Sequence, residues 1–366
     1  MQARLNYLKM KENKNTPDIS VLISAFNEEQ HIQFSIDSVL IEKSLDIELI
    51  LVDDCSTDNT LKIMKYCAER DSRIRVIQIV NDQLNEDVQN DIIFRLMKFE
   101  TASYSIASSQ NIGLNFCRGK YIARLDADDL MINDRLNKQF VFMEENVHID
   151  LVACGGERIN ENGDIFGKYT IFSIFHEDIS KDLIMMRSRM PHPGWMVKAS
   201  VYKSLEGYSL SYANFRLDLD FMLKLLENDF QMACLKEPLI HYRQWSGNIS
   251  KLKDMKLATM YTLTRHHLRL QGVVINDRIN DFIEEKINRK VELVNLEKTW
   301  NSYHSLKSSY ICLKTGKVFK SFLFLFQSIS NDLRIIFSKD IASRIQAKII
   351  NETIQEYEKI YNLNGK

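Results

Sequence analysis

The sequence predicts an α/β protein built on a doubly wound, mostly parallel sheet. Three observations carry that expectation. Short, continuous apolar runs recur at residues 19–23, 47–52, 74–79 and 121–125, as strands covered on both faces require. They alternate with stretches of helical spacing, which gives a β-α-β rhythm. Acidic residues follow two of the runs, Asp53-Asp54 after the second and Asp126-Ala127-Asp128-Asp129 after the fourth. The carboxyl ends of strands are where open α/β sheets bind ligands.

In chain order, residues 1–16 read as a polar arm. Residues 19–23 are the first strand, and 24–29 form a loop entering a helix with Glu28 and Glu29 in its first turn, where acids complement the helix dipole. After the second strand, Ser56, Thr57, Asp58 and Asn59 supply capping side chains for a helix to about residue 69. The third strand precedes a polar, acidic stretch at 81–103 (Asp82, Glu86, Asp87, Asp91), read as an inserted surface element with a short helix near 92–98. Residues 107–117 read as helix, 121–125 as strand, 133–145 as amphipathic helix and 149–153 as strand. Beyond Gly163 the pattern is mixed, with strands expected near 194–197, 232–235 and 239–243. From 251 to the end it is helical. The expected organisation is an arm (1–16), a catalytic domain (17–250) and a helical C-terminal domain (251–366).

The chain has 366 residues, 45% hydrophobic and 27% charged, as in ordinary globular proteins of more than one domain. Only 4 Pro and 12 Gly are present, which argues against long linkers. A net charge of −1 gives no electrostatic footprint for nucleic acid. Charge is unevenly spread: residues 1–250 carry 28 Lys and Arg against 37 Asp and Glu, and residues 251–366 carry 20 against 12. The basic C-terminal part suits an anionic surface such as acidic lipid, or is a solvated helical face. Within it Val318, Phe319, Phe322, Leu323 and Phe326 form an apolar stripe, read as core, a homodimer contact or a helix lying on a membrane. Six scattered cysteines show no zinc spacing and fit a reducing cytosol. The N-terminal residues have no signal-peptide core, and no apolar run reaches the roughly 20 residues that span a bilayer. The expected location is cytoplasmic, with peripheral contact at the inner face of the membrane.

The acidic run is the richest chemical signal. Three carboxylates within four residues repel one another. A divalent cation with a diphosphate offsets that repulsion, because Mg²⁺ and Mn²⁺ take hard oxygen ligands. The plainer alternative is a solvated acidic turn.

Five segments in order resemble the family 2 glycosyltransferases, which have the GT-A fold. They are residues 21–29 (VLISAFNEE), 51–58 (LVDDCSTD), 111–114 (NIGL), 119–129 (GKYIARLDADD) and 242–250 (YRQWSGNIS). The resemblance implies an inverting transferase of bacterial surface-polysaccharide assembly, with a nucleotide-sugar donor and a saccharide or lipid-linked saccharide acceptor. It implies Asp128 as ligand of a divalent metal (Mn or Mg), and Asp126 on the metal or the ribose. It puts Phe26 against the base, and Ser24 and Asp54 in hydrogen bonds to it, which favours UDP-sugars. Asp53 is a base contact or a helix cap. Glu28, Asn111, Gly113, Arg124 and His192 fall in donor-site segments, and Arg243 resembles a loop arginine that neutralises the leaving diphosphate. Asp218 resembles the catalytic base. Three positions depart from the family pattern: Leu217 replaces an acid, Gln110 an arginine, and Trp245 a histidine that sometimes touches the metal, so that the cation either relies on Asp128, diphosphate oxygens and water or takes His241 as substitute. The rival reading is a catalytically inactive scaffold subunit.

Overall fold

The computed structural model describes residues 16–79, 106–169, 171, 174–184, 190–210, 216–244 and 252–270. The N-terminal arm to residue 15, the 81–103 insertion, Trp245 and its neighbours to 251, and residues 271–366 with the apolar stripe all lie outside the described residues.

The described strands join one curled sheet. β1 (Ile19–Ala25), β2 (Ile47–Asp54), β3 (Ile74–Ile79) and β4 (Tyr121–Arg124) run parallel in the order β3-β2-β1-β4. Beyond β4 the sheet becomes mixed. β8 (Met196–Lys198) pairs antiparallel with β4 and with β6 (Leu151–Ile159). β6 pairs parallel with β9 (Met232–Arg243), whose far edge takes the short β5 (Leu130–Met131), and β7 (Ile165–Tyr169) hangs on β6. The two expected strands at 232–235 and 239–243 are one strand, carried past a register shift near Gly155 of β6. The 149–153 strand extends to Ile159.

Helices cover both faces, which explains the unbroken apolar runs. Val21, Ile23, Leu49 and Leu51 pack under α1 (Ile32–Leu40), α2 (Thr60–Ala68) and α4 (Arg135–Glu145). Leu22, Ile50, Val52 and Ile122 face the opposite core, with α3 (Ile106–Leu114), α5 (His176–Ile184), α6 (Ala199–Ser204), α7 (Leu217–Glu227) and α8 (Leu252–Leu270). Two local expectations change. α1 starts at Ile32, so Glu28 and Glu29 precede it, and Glu29 instead accepts from Asn59 N at 2.9 Å. The helix after β2 has Asn59 at its N-cap without a side-chain cap bond, and of the expected capping residues Asp58, just before it, accepts from Thr60 N at 2.9 Å. No helix among the described residues is long and apolar enough to cross a membrane.

The amino ends of the central strands are stapled by one buried acid. Glu48 accepts from Ser20 Oγ at 2.6 Å, Arg118 N at 2.7 Å and Arg118 Nε at 2.8 Å. Gly119 N donates to Ser20 Oγ at 2.8 Å, and a Cβ on Gly119 would sit 2.4 Å from the Ser20 backbone nitrogen. Gly119→Ala is therefore expected to destabilise the protein by about 1–3 kcal/mol through overpacking against backbone, read as a lower denaturant midpoint with an unchanged slope.

Candidate active site

The parallel order reverses direction between β1 and β4, so a crevice opens at their carboxyl ends. Arg124 ends β4 and is buried; its Nη2 donates to Asp126 Oδ1 at 2.8 Å, and its Nη1 donates to the Leu125 carbonyl at 2.9 Å. Asp129 is fully buried, and its Oδ1 accepts from Arg243 N at 2.7 Å while Oδ2 has no partner. Burial, with Asp128 and Asp126 nearby, pushes its pKa well above the usual carboxylate range. Asp129 is therefore a structural acid of the turn. Arg243 holds the turn from β9: Nε donates to the Asp128 carbonyl at 2.9 Å, and Nη1 donates to the carbonyls of Asn160 and Glu161 at 2.8 and 3.0 Å. These bonds make it a buttress of the acidic turn.

A second arginine fixes the wall above. Arg135 is buried at the start of α4, where Nη1 donates to the Pro193 carbonyl at 2.7 Å and Nη2 to those of Arg124 and Trp195 at 2.9 and 3.1 Å. It thus welds the end of β4 to the short 3₁₀ turn His192–Gly194. His192 Nδ1 lies 3.5 Å from Arg124 Nη2, and Nε2 lies 2.8 Å from Tyr208 Oη. Arginine only donates, so Nδ1 is the acceptor and Nε2 carries the proton toward Tyr208. Burial and Arg124 hold the imidazole pKa well below its ordinary value, so the ring is neutral.

Tyr208 joins this wall to the helix of Asp218. Asn111 clamps its backbone, donating to the Tyr208 carbonyl and accepting from Tyr208 N, both at 2.8 Å. Its hydroxyl is 3.0 Å from Tyr202 Oη. Its ring lies 5.1 Å from that of Phe221 on α7, and Tyr202 stacks on Phe221 at 4.9 Å. Burial raises the Tyr208 phenol to about 12, with Arg124 and Tyr202 opposing the rise and Asp218 and Asp126 adding to it. Asp218 sits in the first turn of α7. Asp220, in the same turn, is buried and accepts from Ser209 Oγ at 2.6 Å, a structural role.

The other candidate residues lie at the ends of β1 and β2. Gln110 donates through Nε2 to Ser24 Oγ. Asp53 is buried with neither carboxylate oxygen in good hydrogen-bond geometry, although Ser56 is adjacent, and burial raises its pKa. Burial also raises Asp54, against a hydrogen bond from Ser109. Phe26 is 57% exposed and so is not a core ring. Glu28 N donates to Thr60 Oγ1 at 2.8 Å, and its carboxylate is raised to about 7 by burial and by Asp126 and Asp58.

Arg124, Asp126, His192 and Tyr208 thus form one bonded chain, and Asp126 and Asp218 both lie near the Tyr208 phenol. Asn111 has its amide engaged on Tyr208. Gly113 is close-packed, since a Cβ there would meet Leu22 Cδ1 at 2.3 Å. His241 lies 3.3 Å from Glu157, within an ion-pair contact on β9. Among the described residues no three His, Cys, Asp or Glu gather around a point that could hold a metal. Asp126, one third exposed, and Asp128 fit a cation that brings most of its ligands as phosphate oxygens and water. The sequence reading missed Arg135, Tyr202 and Tyr208. An arginine in an amphipathic helix and two tyrosines in a mixed segment carry no periodic signal of function.

The fold is that of a transferase of the GT-A type. The sequence model of Glycosyl transferase family 2 matches residues 20–83 and 78–202, and the chain belongs to that family. The uncharacterized glycosyltransferase MJ1057 of Methanocaldococcus jannaschii is 31% identical over 254 residues, spanning 68% of this chain and 79% of the relative. The O-antigen biosynthesis glycosyltransferase WbnJ of Escherichia coli is 27% identical over 230 residues, spanning 62% of this chain and 79% of WbnJ. In fold, the crystal structure of S. aureus TarS 1-349 matches with a TM-score of 0.52 at 18% identity, covering 95% of this chain and 92% of TarS. The same TarS fragment in complex with UDP-GlcNAc matches with a TM-score of 0.52 at 16% identity, covering 93% and 92%. The chain is a glycosyltransferase.

The raised Glu28 pKa has a consequence for stability. Relative to the unfolded chain the folded protein binds a proton more tightly between the ordinary value of 4.5 and about 7. Stability therefore falls as pH rises through that window. Glu28→Gln in metal-free protein is expected to gain about 1–3 kcal/mol over wild type at pH 8, allowing for solvent screening, and nothing at pH 4. Denaturant melts at the two pH values check the sign.

Proposed function

We propose that this glycosyltransferase is an inverting, metal-dependent enzyme of polysaccharide biosynthesis. The donor is a nucleotide sugar, with UDP favoured because the Asp54 carboxylate suits the imide N–H of uracil. The acceptor is a hydroxyl of a saccharide or lipid-linked saccharide. One observation supports the reading: Asp126 and Asp218, far apart in the chain, both lie near enough to Tyr208 to help raise the pKa of its phenol.

The exposed Phe26 ring offers a stacking surface for the base, with Ser24 and Asp54 at its edge. Asp53 backs this pocket from the end of β2. Asp128 and Asp126 are the residues that would hold a divalent cation. When bound, that cation supplies charge stabilisation to the diphosphate as it leaves. Arg124 orients Asp126, and Arg243 orients the carbonyl of Asp128. Neutral His192 offers its ring beside the sugar without adding a cation. Asp218 takes the proton of the acceptor hydroxyl. The acceptor oxygen then bonds to the anomeric carbon from the face opposite the diphosphate, and the bond from that carbon to the phosphate oxygen breaks. A single displacement inverts the configuration.

Asp218→Asn is expected to keep donor binding, read as an unchanged thermal shift with UDP-sugar. Release of nucleoside diphosphate in the presence of acceptor should fall about 10²–10⁴-fold. Near-normal transfer would exclude Asp218 as base. Chelation with EDTA is expected to abolish turnover and Mn²⁺ to restore it, whereas Asp128→Asn should remain inactive at any Mn²⁺ concentration. Full activity after chelation would remove the metal from the mechanism.

A further inference from the structure

The helix that carries Asp218 begins from a strained residue held by α8. Arg216, the N-cap of α7, has φ 63° and ψ 26°, in the left-handed region. A side chain other than glycine adopts that region at a cost of roughly 1–2 kcal/mol. Such conformations persist where the surroundings over-determine them. Here the surroundings include one named bond: Arg216 Nε donates to Thr259 Oγ1 of α8 at 2.8 Å. Thr259 is buried.

The far end of α7 is fixed independently. Glu227 accepts from Arg269 Nε at 2.8 Å and pairs with His266 Nδ1 at 2.6 Å. Asp220, still in the first turn, lies 3.4 Å from Arg269 and 3.8 Å from Lys224. Loss of the Arg216–Thr259 bond would therefore leave α7 docked through Asp220 and Glu227 and release its N-cap, two residues before Asp218. Relaxation at Arg216 would shift the Asp218 carboxylate relative to Tyr208.

We propose that Arg216 and Thr259 are positioning residues for transfer, a latch through which α8 sets the aim of Asp218. The inference rests on Asp218 as the base. It adds that the segment opening the C-terminal region is part of the catalytic apparatus, although it contributes no group to the reacting atoms.

Thr259→Val removes the hydroxyl at nearly constant volume. In the full chain it is expected to lower kcat for transfer about tenfold. The KM for UDP-sugar should stay within about twofold, because the donor wall is untouched. Thr259→Ser, which restores the hydroxyl, is expected to restore kcat, and melting temperatures of both variants show whether they fold. Wild-type kcat in Thr259→Val overturns the latch. So does a loss that Thr259→Ser fails to rescue, or one carried in KM. Asp218→Asn in the same assay separates the two ideas. If that variant is inactive and Thr259→Val is unimpaired, the latch alone fails. If Asp218→Asn retains transfer, the assignment of the base fails and the latch with it.

Discussion

Carboxylates crowd the four residues after β4, and the rest of the site is organised around keeping them together. Like charges at this spacing repel, and burying them unpaired costs several kcal/mol each. The protein treats each acid differently. Asp129 is fully buried, which pushes its pKa well above the usual carboxylate range. Asp126 is paired with Arg124. Asp128 is held by its backbone, through Arg243. The turn is also held from below, where Ser35 Oγ lies 2.7 and 2.8 Å from the carbonyls of Ala127 and Asp129. The result is a concentrated negative site at the end of a parallel strand, suited to a cation that arrives with a diphosphate.

Two arginines transmit this arrangement without entering the chemistry. Arg135 spans the carbonyls of Arg124, Pro193 and Trp195, so β4 and the turn bearing His192 move as one body. A buried guanidinium without a carboxylate partner is held here by carbonyl dipoles and by Gln139, which accepts from Nε at 2.8 Å. From His192 the order continues through aromatic contacts. Trp195 meets the imidazole edge at 4.6 Å, Tyr208 at 5.5 Å, and Phe221 closes the group from α7. Aromatic packing of this kind is stiff and directional, and it sets α7 against the wall of the donor crevice.

The parallel half of the fold was legible in the sequence because its strands are buried on both faces. Residues such as Ile50 and Leu51 alternate between two cores and so read as one apolar run. The mixed half was not. β5 has two residues, β8 has three, and β9 crosses a register shift that broke its pattern into two pieces. The acidic ends of β2 and β4 were legible for a chemical reason: no core explains clustered carboxylates. The supports of the site were illegible, since Asn111 and Arg243 act through backbone groups that the sequence does not display. The resemblance placed Asn111 and Gly113 at the donor. In the structure the one clamps Tyr208 and the other lets α3 close on β1 and β2.

The departures from the family pattern that fall among the described residues have physical counterparts in the fold. Leu217, where relatives carry an acid, is half-buried against the large core. An acid there would enter that core one residue before Asp218. The apolar side chain instead seats the first turn of α7. Gln110 is fully buried. An arginine in that volume would bring a charge with no carboxylate bonded to it, whereas the neutral amide donates to Ser24 and leaves only its own oxygen unpaired. Both exchanges lower charge at buried positions flanking the crevice and leave Asp126, Asp128 and Asp218 in place. A subunit retained only as a scaffold would have no need to keep these three acids.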